Sequence, residues 1–486
     1  MNYGLIVKIL GKIMVTLGLF MSTSLIFCVA YQENLINYLA FAIPSGITII
    51  LGLILNNIKP QTNKIGIKEG SIIAGLTWIV SALFGCMPLL ISGSLPNFFD
   101  AFFEIVSGFT TTGASVCTDV EGLAHSIKFW RSFTHWIGGM GILVFVLAFI
   151  PESKDGSAVH ILRAESPGPQ VGRLVSRMQA SSRILYLIYI VMTLILILLL
   201  WLGPDTKMNF FNSLIYSLGT AGTGGFAIHS TGLEFFLPYT QYVIAIFMLL
   251  FGVNFTLYYL ILIGNIKTTL MNEELRWYIA IVVIAVTIIT INIFSIYQNF
   301  EYSFRQALFQ VASIISTTGY SSIDFNLWPS LSKTVIIILM VSGAMAGSTA
   351  GGVKVTRINL LTKSSVIKVK NIMSPRKVEV LTQDGKPISS KTIESIQSFF
   401  IIYIIVFIIC TLLISIDNFS IETNITASLS CISNIGPGLG EVGPYGSFAG
   451  YSNFSKFILS IEMIAGRLEL FPLLTLFSPK TWKRNV

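Results

Sequence analysis

Nine stretches of this chain carry no Asp, Glu, Lys or Arg for 20 residues or more and are apolar throughout: 13–32, 34–58, 70–99, 132–151, 184–204, 235–266, 277–300, 334–353 and 395–416. A helix rising about 1.5 Å per residue crosses the roughly 30 Å hydrocarbon layer of a bilayer in about 20 residues, so each stretch predicts a span. A tenth, 454–477, is as apolar but holds Glu462, Arg467 and Glu469. Only 11% of the 486 residues are charged, against roughly 25% in an ordinary soluble domain, which excludes a water-soluble enzyme. The expected fold is an all-α polytopic membrane protein with about ten transmembrane helices. Lys8 and Lys12 precede the first run as in a secretory signal. That run exceeds the roughly 7–15 residues of a signal's apolar region, so a retained helix is expected.

The net charge of +8 sorts by side once the spans alternate with the N-terminus inside. Then 25 of the 31 Lys and Arg fall on the inner side and six on the outer. This is the positive-inside asymmetry, and it places both termini in the cytoplasm. The basic balance therefore reports topology and membrane lipids, and no nucleic acid is expected as a partner. Five scattered cysteines with no C-x-x-C pair indicate neither a disulfide framework nor a zinc site. His125, His135, His160 and His229 are expected at interfaces or in loops rather than as metal ligands.

Between the spans lie four segments too short to cross. Each has an apolar half followed by a Gly/Thr-rich or Gly/Pro-rich half: Phe98 to Phe109 then Thr110-Thr111-Thr112-Gly113; Phe210 to Leu218 then Thr220 to Phe226; Phe304 to Ile315 then Ser316-Thr317-Thr318-Gly319; and Ile425 to Ile432 then Ser433-Asn434-Ile435-Gly436. All four align on one glycine, Gly113, Gly225, Gly319 or Gly436. Span, half-helix, loop and span thus repeat four times. Extended chain cannot face lipid, because each unpaired backbone group there costs several kcal/mol, so the loops must be buried or line water. Four around one axis would enclose a pore in which carbonyls replace the hydration shell of a cation. Half-helix C-termini, each carrying roughly −0.5 charge, would favour the same sign of ion.

The motifs T-T-T-G-A at 110–114, H-W-I-G-G-M-G-I at 135–142, T-G-G-F at 223–226, T-T-G-Y at 317–320, G-S-T-A-G-G-V-K-V at 347–355, N-I-G-P at 434–437 and G-R-L-E-L-F-P at 466–472 cover nearly the whole chain. With them the sequence resembles the Trk/Ktr/HKT superfamily of potassium transporters, specifically its Trk-type membrane subunits. The resemblance implies a pseudo-fourfold pore in a homodimer that takes up K+ across the inner (plasma) membrane of a prokaryote. It implies two extra N-terminal helices (1–60) and pore repeats over 61–155, 156–268, 269–375 and 376–486. The filter residues would be Thr111, Thr112 and Gly113; Gly224 and Gly225; Thr317, Thr318 and Gly319; and Asn434, Ile435 and Gly436. Glycine at all four aligned positions goes with potassium preference in that superfamily. The second loop is unusually glycine-rich, and Asn434-Ile435 stand where the first and third loops have Thr-Thr, so moderate selectivity is expected. No cofactor is expected on the chain. A nucleotide (ATP/ADP or NAD) would act only through a cytoplasmic ring of nucleotide-binding, TrkA-like regulatory subunits, docked on 152–183 and 354–391.

Arg467 cannot reach Glu462 or Glu469 along its own helix, so it should face a wet cavity or a partner on another element. The small-residue run Gly343, Gly347, Ser348, Thr349, Gly351 and Gly352 has poor helix propensity, yet it also spells G-x-x-x-G twice, a packing motif. The resemblance implies that this run is an intramembrane gating loop under the filter and that Arg467 projects into the pore below it. Gly438 to Gly443 matches G-x-G-x-x-G, but Pro444 and Gly446 follow where a helix should begin. A secondary cation symporter with a midplane site would need two inverted halves and ionisable groups at mid-membrane; only the last span holds charges. Asp100 and Glu104 are the best carboxylate pair for a membrane enzyme, and they are expected at the outer mouth.

Overall fold

The computed structural model describes residues 1–60, 62, 66–141, 178–374 and 379–479. Helices α1 (Tyr3–Ser22) and α2 (Ser24–Ala30) continue as one apolar run and return through α3 (Leu35–Asn56), an N-terminal pair outside the repeats. The first repeat is α4 (Ile67–Gly85), the short α5 (Met87–Ile91), the half-helix α6 (Phe98–Phe109) and α7 (His125–Gly139). The second is α8 (Met178–Trp201), the half-helix α9 (Phe210–Gly222) and the pair α10 (Pro238–Phe251) and α11 (Phe255–Leu262), followed by the short α12 (Ile266–Leu270). The third is α13 (Glu273–Tyr297), the half-helix α14 (Phe300–Ile315) and α15 (Ser330–Ser342). After α16 (Val355–Met373) and a two-stranded hairpin, β1 (Thr382–Gln383) and β2 (Lys386–Pro387), come α17 (Ser390–Ile414), the half-helix α18 (Ile421–Ser433), α19 (Asn453–Arg467) and α20 (Phe471–Phe477).

The two kinds of helix differ in what surrounds them. Long α17 leaves Ile401, Ile405, Ile408 and Leu412 exposed, and α13 leaves Ile279, Val283 and Ile291 exposed. A continuous apolar exterior of this kind is stable only against lipid, so the chain is a multi-pass membrane protein. The half-helices are enclosed instead, with Phe103, Ile215, Val311 and Ala427 fully buried. Each half-helix starts at a polar cap: Asn97, Asn209, Asn299 and Ser420 accept from the backbone amides of Phe99, Asn212, Tyr302 and Thr423. Such caps satisfy amides that would otherwise be orphaned at the helix start.

Among the described residues six helices are long and apolar enough to cross a membrane, and a seventh candidate is a bent pair. Several expected spans are interrupted. Stretch 235–266 bends by 91° between α10 and α11. Stretch 334–353 is helical only to Ser342, and 454–477 breaks after Arg467, where Glu469 and Leu470 both have positive φ. Stretch 132–151 loses its helix after Gly139, and residues 142–151 lie outside the described residues. The feature is common to all four: the second helix of every repeat ends early, at Gly139, Phe251, Ser342 and Arg467. Most of the segment 152–183, with His160, also lies outside the described residues.

Candidate functional site

Each half-helix ends in the same turn. The amides of Thr112, Gly224, Thr318 and Ile435 donate to the carbonyls five residues back, Ser107, Gly219, Ser313 and Ser430, at 2.9–3.0 Å. This is a Schellman-type closure, which needs a left-handed residue just after the helix. That residue is Thr111 (φ 56°), Thr223 (φ 54°), Thr317 (φ 55°) or Asn434 (φ 56°). Two residues on, Gly113 (φ 79°), Gly225 (φ 80°), Gly319 (φ 83°) and Gly436 (φ 109°) are left-handed again. Alternating hand along a strand turns successive carbonyls to one side, and glycine adopts it without steric cost.

The loops interlock in a cycle. A Cβ on Gly113 would strike the Gly224 carbonyl oxygen, one on Gly225 the Thr318 oxygen, and one on Gly319 the Ile435 oxygen. One on Gly436 would stand 2.7 Å from the Thr112 oxygen, which returns the cycle to the first repeat. Asn434 Nδ2 seals the same junction by donating to Thr112 Oγ1 at 3.0 Å and to the Met463 carbonyl at 2.9 Å. The outer loops follow the same order. Ser230 Oγ donates to Glu121 at 3.0 Å, the Leu233 amide to Ser321 O at 2.8 Å, the Gly440 amide to Asn326 Oδ1 at 3.0 Å and the Phe448 amide to Ser115 O at 2.9 Å. The Ser230 amide and hydroxyl hold the Glu121 carboxyl below its ordinary range. The four loops that hold the eleven expected residues thus pack against one another in a closed cycle, each at the end of its half-helix.

Three expectations at the flank are corrected. Glu104 is fully buried rather than at the outer mouth: it pairs with Arg131 at 2.6 Å and accepts from the Val116 amide at 2.9 Å. Asp100 pairs with Lys456 at 2.6 Å. The last span is therefore not alone in holding charges, because Glu104 and Arg131 lie on α6 and α7. His135 is no interfacial or loop residue but is buried behind the first and second loops. A lone Glu or His in an apolar run gives no sequence signal of its partner, and only the four-residue spacings Glu104/Gly108 and Arg131/His135 could have suggested shared helix faces.

Below the ring, the interrupted second helices meet. Gly343 (φ 63°) ends α15, and the chain from Gly343 to Lys354 runs against the third loop at Thr317. The Gly351 amide donates to Thr317 Oγ1 at 2.7 Å, and Thr349 Oγ1 to Phe251 O at 3.2 Å. Backbone bonds of 3.1 Å stitch Met345 to Gly252 and Phe255 to Gly347, beside the α10–α11 bend. Ser348 Oγ closes a local turn on Met345 O, and Gly347 and Gly352 are left-handed at φ 75°. Glu274 at the start of α13 accepts from both ends of the loop, the Ala346 amide at 2.7 Å and the Thr356 amide at 3.2 Å. Arg467 donates to Thr111 Oγ1 at 3.1 Å, Thr349 O at 2.9 Å, Gly139 O at 2.8 Å and Gly138 O. Two of those carbonyls are the open C-terminus of α7, a favourable place for a cation. Of the two flanking acids, Glu462 accepts from Ser428 Oγ at 2.6 Å and Glu469 pairs with Arg357. The loop thus touches the second, third and fourth repeats directly, Gly351 packing against Ser433 and Asn434, and the first through Arg467.

Comparison with known proteins fits this geometry. Residues 40–484 match the TrkH family of cation transport proteins. The chain is 34% identical to the Trk system potassium uptake protein TrkH of Escherichia coli K12, over 87% of this chain and 88% of that one. It is 28% identical to TrkH of Halomonas elongata over the full length of both. The crystal structure of the potassium transporter TrkH from Vibrio parahaemolyticus superimposes with a TM-score of 0.89 at 29% identity, covering 99% of this chain and all of that one. The glycine-closed ring, the fourfold unit and these full-length similarities agree, and the chain belongs to the TrkH family of cation transport proteins.

Proposed function

We propose that the chain is the ion-conducting membrane subunit of a Trk-type potassium uptake system, passing K+ down its electrochemical gradient through the four-loop filter. The observation that carries this reading is the cyclic interlock of Gly113, Gly225, Gly319 and Gly436 with the carbonyls of the next repeat. Such a ring offers a dehydrated monovalent cation oxygens already held in place by packing. The relatives in Escherichia coli and Halomonas elongata are potassium uptake proteins by name. The loop 343–352 acts as the gate, because it lies against Thr317 and is held by Glu274 and by Arg467. Arg467 adds a fixed positive charge at the inner foot of the first filter strand. In this reading the chain works as a homodimer in a prokaryotic inner membrane, with the basic inner loops and both termini in the cytoplasm and a nucleotide-binding cytoplasmic ring acting on the loop. The test is cation flux into liposomes holding the purified protein, comparing K+, Rb+, Na+ and Li+. Flux favouring K+ and Rb+ supports the reading. Equal flux of all four, or no K+ flux, refutes it.

A further inference from the structure

The second filter strand lacks a side chain that its neighbours have. At the position before the aligned glycine, the first and third repeats carry Thr112 and Thr318. Their hydroxyls bond back to Thr110 Oγ1 at 2.8 Å and Ser316 Oγ at 2.7 Å, bracing the strand from behind. The second repeat has Gly224 there, and Gly224 has no left-handed φ that would call for glycine. What excludes a side chain is His135: a Cβ on Gly224 would fall on its imidazole, and one on Gly222 on its carbonyl. The ring is buried and tied at both nitrogens, with Nδ1 2.8 Å from the Gly108 carbonyl and Nε2 3.3 Å from the Phe226 amide. Those two contacts require a neutral ring with the proton on Nδ1, donating to Gly108 and accepting from Phe226. Gly108 precedes the first filter strand and Phe226 directly follows Gly225. One turn earlier on α7, Arg131 lies 4.2 Å over the Phe226 ring and pairs with Glu104, one turn before Gly108 on α6.

We infer that His135 is a selectivity-positioning residue, its imidazole lent by the first repeat to occupy the place of the missing side chain at Gly224 and to set the spacing of the first two filter strands. This rests on the filter reading above and deepens it. It also accounts for the glycine-rich second loop, since Gly222 and Gly224 make room for the neighbouring helix rather than for the ion.

The test is a swap read by ion ratios. In liposomes, His135→Ala lowers the K+ to Na+ flux ratio by about threefold or more, the scale of a net buried hydrogen bond differing between two ions. Gly224→Thr alone cannot be accommodated against the ring and lowers flux or folded yield. The double variant His135→Ala/Gly224→Thr restores the braced geometry of Thr112 and Thr318 and recovers the ratio beyond either single change. Unaltered K+, Rb+ and Na+ ratios in His135→Ala overturn the assignment and leave His135 as packing. So does a double variant no better than the worse single one, by ratio or, if His135→Ala does not fold, by folded yield and ratio together. Wild-type protein is measured first: absence of K+ flux there refutes the pore reading, whereas normal wild-type flux with unmoved ratios refutes only the role of His135.

Discussion

Glu274 holds both ends of the loop beneath the filter with one oxygen, so removing it should free the loop more than any other single truncation outside the ring. Oε1 receives the Ala346 amide at 2.7 Å and the Thr356 amide at 3.2 Å. A hydrogen bond to a charged group is worth about 1.5–3 kcal/mol net, and the second of two sharing an oxygen is weaker, giving about 2–4 kcal/mol together. If the displaced loop keeps neither bond, Glu274→Ala shifts the equilibrium toward displacement by roughly 30- to 700-fold at about 1.4 kcal/mol per decade. Glu274→Gln retains a neutral acceptor and should shift it by only about fivefold, near 1 kcal/mol. The assay is Rb+ uptake into liposomes with no cytoplasmic partner, normalised to folded protein by size exclusion. Expected is the order Ala above Gln above wild type. Uptake within twofold of wild type for a folded Glu274→Ala protein would refute the reasoning, because the loop would then be no barrier or would move as one block with α13.

Three further outcomes are expected. Gly113→Ser places a Cβ against the Gly224 oxygen at a residue with φ 79°, so total K+ flux should fall and the Na+ share rise; an unchanged flux ratio would contradict the filter reading. Arg467→Ala withdraws the bond to Thr349 O and a positive charge at the filter's foot, and partner-free Rb+ uptake should increase severalfold, which the same liposome assay measures. Glu104→Ala strands the buried Arg131 guanidinium, costing about 3–5 kcal/mol, so thermal unfolding in detergent should shift down sharply; Glu104→Ala/Arg131→Met should recover most of it.

Periodicity and charge made much of this legible from residues alone. The first half-helix is readable residue for residue, Phe98 to Phe109, because its apolar run lies between Pro96-Asn97 on one side and Thr110-Thr111-Thr112-Gly113 on the other. The third and fourth begin four residues earlier than the apolar pattern indicates, at Phe300 and Ile421, since their first turns are polar and begin at the caps Asn299 and Ser420. The breaks in the second helices were less visible. Gly343 announces one, but Arg467-Leu468-Glu469-Leu470 contains no glycine or proline, and its left-handed pair is imposed by the packing of Arg467 and Glu469 on other repeats. Threonine at the left-handed filter entrance is likewise unreadable from propensity. Its conformation is fixed by the six-residue closure behind it and by the neighbouring strand in front. The buried ties of Glu104, His135 and Glu274 are long-range pairings, and a single sequence carries no record of which distant group a lone polar residue meets.

The closure between Gly436 and Thr112 also sets an order of events during biogenesis. Asn434 reaches Thr112 across 322 residues of chain, so the first filter strand is inserted long before the strand that completes its seat has been synthesised. Until then its bare carbonyls and half-length helix must be sheltered by water, by the insertion machinery or by transient partners, since hydrocarbon would not tolerate them. The nascent protein can therefore close this ring of loops only once the fourth hairpin has been synthesised and docks against the first.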